Sequence, residues 1–359
     1  MKATNRHIRL SREVGRWNSM NMLVGLVAMS IAVGACSLTS SASPNNKSAA
    51  PSDVPSALRT GAARCESDNS TAGIQASATA VASAEAPSVL VLADCVNGGI
   101  GLWRLDATGR WTTVGPVTDG QAIARNADLI TIAHAGSLET RPVSNPAGTA
   151  GTVRLTWPGS APGAPIVSVD RSPLGSTALV AADAKGQTYA IASADGTVSR
   201  LEGAPNWSFT PLVGWIDSDR VLVLTQGVDN TSRLLIVNSP ERSTETVGSA
   251  TDVRWFALSQ DRLTVAVSKE ASIYLGHVSA LRAGEKPTEI GKLDPHEIAW
   301  DLALDQTGTH LAMLSGTEAA DGAVENIHEV GYTLLASGWA RTYDAPAPFT
   351  KALGQIWLG

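Results

Sequence analysis

Four aspartates, Asp170, Asp217, Asp301 and Asp305, fall near the ends of apolar runs, where a β-rich scaffold could gather carboxylates for acid–base chemistry. They come from distant positions, so only the fold decides whether they meet. His296, His310 and His328 cluster late in the chain, with Glu325 three residues before His328. Zinc needs three or four such ligands converging. A spacing of three converges on a helix, whereas this stretch reads as loop leading into strand, so no metal site and no cofactor are expected. Asp217, Ser218 and Asp219 lack the glycine and the remaining ligand spacing of a calcium loop and read as a polar turn. Ten of the 17 aromatic residues are Trp. Trp103 and Trp111, across the turn at residues 106–109, are the best candidates for an aromatic platform that binds a sugar or peptide; the alternative is packing, the usual fate of Trp. Trp215, Trp255 and Trp300 fall out of register with one another and form no evident ring. Gly-x-Ser-x-Gly, a Ser-x-x-Lys helix start and a Gly-rich phosphate loop are missing, so no catalytic residue is assigned.

The elements that would position these residues repeat. Six apolar, β-branched runs are centred on Val91, Thr131, Val180, Val223, Val265 and Ala312, at steps of 40, 49, 43, 42 and 47 residues. Before each run lies another strand ending in a polar turn; after it come a third strand and usually a more polar fourth. A period near 44 with four strands per unit is the signature of a β-propeller. The second strand of each unit should read apolar without alternation, because it is covered on both faces. The expected fold is therefore all-β, with six blades of four antiparallel strands. Residues 73–83 are expected to supply the inner strand of the first blade, and residues 338–343 the outer strand of the last. The apolar segment 354–358 is left over, and is expected to pair back near the first blade and close the ring.

The chain of 359 residues carries 27 basic and 33 acidic side chains. Five of the basic and one of the acidic residues lie within residues 1–35, leaving a net charge of −10 on the rest. Such a surface repels phosphate and argues against nucleic acid. The basic start leads into a run of about a dozen apolar residues, too short to span a bilayer as a helix, and into small residues, as in a secretory signal. Val33, Gly34, Ala35 and Cys36 resemble the lipobox of bacterial lipoproteins, with Gly34 a departure from the usual residues at that place. The resemblance implies that residues 1–35 are cleaved and that Cys36 is lipidated. It places the protein at the extracytoplasmic face of the cell membrane or envelope. Residues 36–60, rich in Ser, Ala and Pro, would form a tether, and residues 61–359 the folded domain. In an exported chain the remaining pair, Cys65 and Cys95, is expected to form a disulfide.

Residues 170–180 (Asp-Arg-Ser-Pro-Leu-Gly-Ser-Thr-Ala-Leu-Val) resemble the blade hairpin of TolB-type and WD40-like bacterial propellers, and residues 304–312 are similar. The resemblance implies a rigid ring whose faces and channel bind partners, often another envelope protein. Two functions follow as expectations. One is a lipid-anchored, non-catalytic binding or scaffold module for an envelope protein or ligand. The other is a secreted propeller enzyme of glycosidase, lyase or cyclotransferase type, with carboxylates at the channel mouth.

Overall fold

The computed structural model describes residues 74–75, 78–79, 88–95, 99–159, 164–183, 186–202, 204, 212–226, 231–239, 243–294, 296–318, 324–333, 338–346 and 349–358. Cys36, Cys65, the signal segment and the tether lie outside them. Two short strands come first, β1 (Ile74–Gln75) and β2 (Ala78–Thr79). The first blade then runs β3 (Val89–Cys95), β4 (Ile100–Leu105) and β5 (Arg110–Val117). The second is β6 (Ala122–Asn126), β7 (Leu129–His134), β8 (Ser137–Pro142) and β9 (Gly151–Arg154). The third is β10 (Ile166–Arg171), β11 (Thr177–Asp183), β12 (Gly186–Ala192) and β13 (Val198–Arg200). The fourth is β14 (Val213–Trp215), β15 (Arg220–Gln226), β16 (Ser232–Asn238) and β17 (Ser243–Thr251). The fifth is β18 (Trp255–Leu258), β19 (Thr264–Lys269), β20 (Ser272–His277), a short helix α1 (Val278–Arg282) and β21 (Thr288–Lys292). The sixth is β22 (Glu297–Leu304), β23 (His310–Glu318), β24 (Val324–Thr333) and β25 (Gly338–Asp344), followed by β26 (Phe349–Trp357). All pairings within these sheets are antiparallel, and the six sheets form a β-propeller.

The apolar second strands explain the architecture. Side chains alternate across a sheet, so a strand buried on both faces needs apolar residues at every position. In β3, Val89, Val91 and Ala93 pack toward the sixth blade, while Leu90 and Leu92 pack toward the second. The core is accordingly divided into six apolar clusters, one in each seam between neighbouring blades. Each fully buried Val, Leu or Ile in such a seam contributes about 1.5–3 kcal/mol.

The ring closes at both chain ends. β26 is the innermost strand of the first blade, paired with β3 from Phe349 opposite Cys95 to Trp357 opposite Val89. The expectation that segment 354–358 returns to the first blade is met. The assignment of residues 73–83 as that blade's inner strand is corrected. β1 pairs instead with the outer strand β5, and β2 with β25, the outer strand of the sixth blade. β1 and β2 thus lie on outer strands of the ring, and the C-terminal strand takes the inner place.

Turns between first and second strands share one device. Gly175, Arg262 and Gly308 each sit three residues past the residue that opens the turn (Ser172, Ser259 and Asp305) with φ of 93°, 63° and 72°. Glycine suits that left-handed conformation; arginine does so at a conformational cost of about 1 kcal/mol.

Candidate functional site

The inner strands β6, β10, β14, β18, β22 and β26 enclose a central channel with a water-accessible volume of about 180 Å³. An inner strand presents an unpaired backbone edge to the channel, and those N–H groups need acceptors. The fold supplies them from neighbouring blades. Gln121 Oε1 accepts from Ile166 N (2.7 Å), Ser168 Oγ from Val213 N (3.2 Å), Asp170 Oδ2 from Trp215 N (2.7 Å), and Asp301 Oδ2 from Gln355 N (2.7 Å). Gln355 also donates through Nε2 to the Asp301 carbonyl (3.0 Å), and Arg125 Nη1 donates to the Trp357 carbonyl (2.5 Å). These bonds stitch β26 to the sixth blade on one flank and to the second on the other.

Three inner strands carry bulges that add one residue. Register shifts between Ile166 and Ser168, between Ala299 and Asp301, and between Ala352 and Gly354 leave Val167, Trp300 and Leu353 as the extra residues. All three line the channel. A bulge re-aims a side chain that regular pleating would send into a seam.

Asp170 and Arg262 form a buried, two-pronged ion pair, with Arg262 Nη1 to Asp170 Oδ2 at 2.7 Å and Nη2 to Oδ1 at 3.2 Å. Arg262 Nη2 also donates to the Arg171 carbonyl (3.0 Å). The pair joins the fifth blade to the third and passes over the fourth, whose Trp215 N–H shares Asp170. This bridge explains why Arg262 stands where two other turns carry glycine. Arg262→Ala strands a buried carboxylate, so we expect a loss of about 3–5 kcal/mol in urea unfolding. Combining Arg262→Gly with Asp170→Asn should recover much of that loss, because neither buried charge remains.

The acids of the sixth blade are built differently. Asp301 Oδ1 accepts from its neighbour Leu302 N (2.8 Å), and loss of hydration pushes the carboxyl up to about 7. In register, Asp301, Leu314, Glu329 and Tyr343 form one row across β22 to β25. Leu314 and Tyr343 belong to the apolar seam with the first blade, so Glu329 faces that seam. It is 0% exposed, and neither carboxyl oxygen makes a hydrogen bond of normal geometry, the Met313 backbone offsetting its burial only in part. Burial, reinforced by the charge of Asp301, pushes Glu329 well above the usual carboxylate range. Among the described residues, no ion pair neutralises either acid.

The four aspartates singled out in the sequence do not converge. Asp217 bonds Arg220 Nε (2.6 Å) and its own turn's N–H groups, and Asp305 holds Thr309 and His310. His328 Nε2 contacts both Ser315 Oγ (2.7 Å) and Glu297 Oε1 (3.2 Å); sharing one nitrogen, this is not the arrangement of a charge-relay nucleophile. The Trp103 and Trp111 platform is corrected: both rings are buried in the seam between first and sixth blades, 1% and 0% exposed. The indole N–H of Trp111 donates to the Asp344 carbonyl (2.9 Å). The aromatic residues at the channel are instead Trp255, Phe256, Trp300 and Trp357. Trp255 and Trp300 meet edge to face at 6.3 Å between centroids. Cys95 is buried at the end of β3.

No family model and no curated protein matches this chain. Solved structures do. TolB from Acinetobacter baumannii is similar over 78% of this chain and 68% of its own, at 10% identity and a TM-score of 0.55. A putative TolB from Agrobacterium tumefaciens is similar over 76% of this chain and 90% of its own, at 10% identity and a TM-score of 0.48. A protein from Lactobacillus plantarum matches over 76% and 85% of the two chains, at 17% identity and a TM-score of 0.43. At these identities the likeness is one of fold.

Proposed function

We propose that this chain is a cell-envelope β-propeller, anchored by a lipid on Cys36, that serves as a non-catalytic binding or scaffold module for another envelope protein or ligand. The observation that carries this reading is the central channel. Its wall sets apolar and aromatic side chains beside a few polar ones, among them Arg125, Asp170, Arg262, Asp301 and Gln355, a combination that suits binding. Catalysis by paired carboxylates needs two acids facing one reacting bond. Here Asp170 is held by Arg262 in the bridge between blades, and Asp217 and Asp305 are held within their own turns, which disfavours the glycosidase, lyase or cyclotransferase alternative. The TolB-like fold of the neighbours supports a binding ring.

Anchoring rests on residues 33–36 and the Ser-, Ala- and Pro-rich segment behind them. Two acyl chains give stable membrane attachment at ~0.8 kcal/mol per buried methylene. Cys36→Ala should move the protein from the membrane fraction to the soluble fraction, or leave an uncleaved precursor. A variant that matures normally and stays on the membrane contradicts lipidation. Within the domain, a Cys65–Cys95 disulfide would pin the segment before the first blade to β3. The binding role is tested by crosslinking in intact cells followed by affinity purification. One stoichiometric envelope partner is expected; turnover of a glycan or peptide by the purified domain would instead favour the enzyme.

A further inference from the structure

Asp301 occupies in the sixth blade the place that Ser168 occupies in the third: both lie three residues before the last pair of the first hairpin, Leu304 with Leu311 and Arg171 with Thr177. Both perform the same task, accepting the edge N–H of the next blade's inner strand. In the third blade a neutral hydroxyl suffices, so that task does not require the charge of Asp301. The other channel carboxylate, Asp170, has its counter-ion in Arg262. Asp301 has none among the described residues, and the nearby Glu329 adds acid rather than base. Beside it the bulge turns Trp300 into the channel against Trp255. Indole faces attract cations, most strongly where water is scarce. A carboxylate that accepts only backbone N–H groups and has no counter-ion, on the same channel wall as two Trp side chains, is the chemistry of a cation subsite.

Building on the channel-binding role proposed above, we propose that the wall formed by Trp255, Trp300 and Asp301 holds the positively charged end of a ligand, a guanidinium or alkylammonium group on an apolar stem. The apolar stem would lie along Leu353 and Trp357 of the adjoining strand β26, with Val167 across the channel. A basic peptide side chain and a free small cation share this chemistry.

The test titrates the folded domain with n-butylguanidinium and n-butylammonium, with uncharged n-butylurea as control, by calorimetry and by following indole N–H resonances. Saturable binding of the cations is expected, with n-butylurea at least tenfold weaker. Asp301→Asn and Asp301→Ser should each weaken cation binding at least tenfold; the second copies Ser168 and keeps an acceptor for Gln355. Trp300→Val, which copies Val167, should weaken it severalfold. A basic peptide that competes with n-butylguanidinium points to a protein source, and a peptide that fails to compete points to a small cation. The proposal is overturned if the wild-type domain shows no saturable cation binding, if n-butylurea binds equally well, or if folded Asp301 variants bind unchanged. An envelope partner still captured in cells alongside any of those results leaves the binding module intact and removes only the cation subsite.

Discussion

Deleting residues 353–359 should lower stability by at least about 5 kcal/mol, and the melting transition should broaden or fall sharply. The deletion removes the half of β26 that pairs with Val89 to Leu92. Those four residues are fully buried, and two apolar clusters meet on them. Ile356 and Gln355, each 5% exposed, leave with the strand. So do the bonds from Gln355 to the sixth blade and from Arg125 to Trp357. An open ring would expose the inner edge of β3 to water and to other strands. Calorimetry of the truncated domain checks this. A truncated domain that melts like the full one would mean that β26 does not close the ring.

Glu329→Gln should stabilise the protein above neutral pH, by about 1–4 kcal/mol, and flatten its pH dependence. Glu329 is buried without a hydrogen bond of normal geometry, so its ionised form is costly. The folded-state affinities for protons of Glu329 and Asp301 are raised, the latter to about 7. Raised carboxyls favour the folded state while protonated. Their contribution is complete below about pH 4, and is lost as pH rises from there through the folded-state values. Asp217 and Asp305 are lowered, so their contributions disappear only at more acid pH and do not mask the window from 5 to 8. The wild type should therefore melt higher at pH 5 than at pH 8, and Glu329→Gln should narrow that gap. Equal narrowing is not expected from exposed acids such as Asp195. A variant less stable than wild type at pH 8 would contradict the cost assigned to the buried Glu329 carboxyl.

The six-fold repeat was legible because double-sided burial leaves a residue signature: a strand such as β3 or β7 has no solvent face to keep polar. The closing strand was legible for a related reason, since apolar residues 354–358 needed cover. Its exact place was harder to read. Residues 78–83 are small and mixed, and resemble inner strands elsewhere, so sequence order favoured them over a strand near the far end of the chain. The channel tryptophans were hidden by one residue. Trp300 is the extra residue of a bulge, so counting along aligned blades puts it out of step with Trp255. The Asp170–Arg262 bridge spans two blades that are not neighbours, beyond any local pattern. Its one trace in the sequence is an arginine where the turns of residues 172–176 and 305–310 carry glycine.

The claim that the channel is the binding centre is tested most directly by position-specific photocrosslinking in intact cells. A crosslinking residue is placed at Val167, which is 38% exposed on the channel wall, and in a second strain at Arg200, exposed on outer strand β13. The account predicts one dominant adduct of defined mass from position 167 and none of that mass from position 200. Adducts from position 200 alone would contradict it, and would place the binding surface on the rim of the ring.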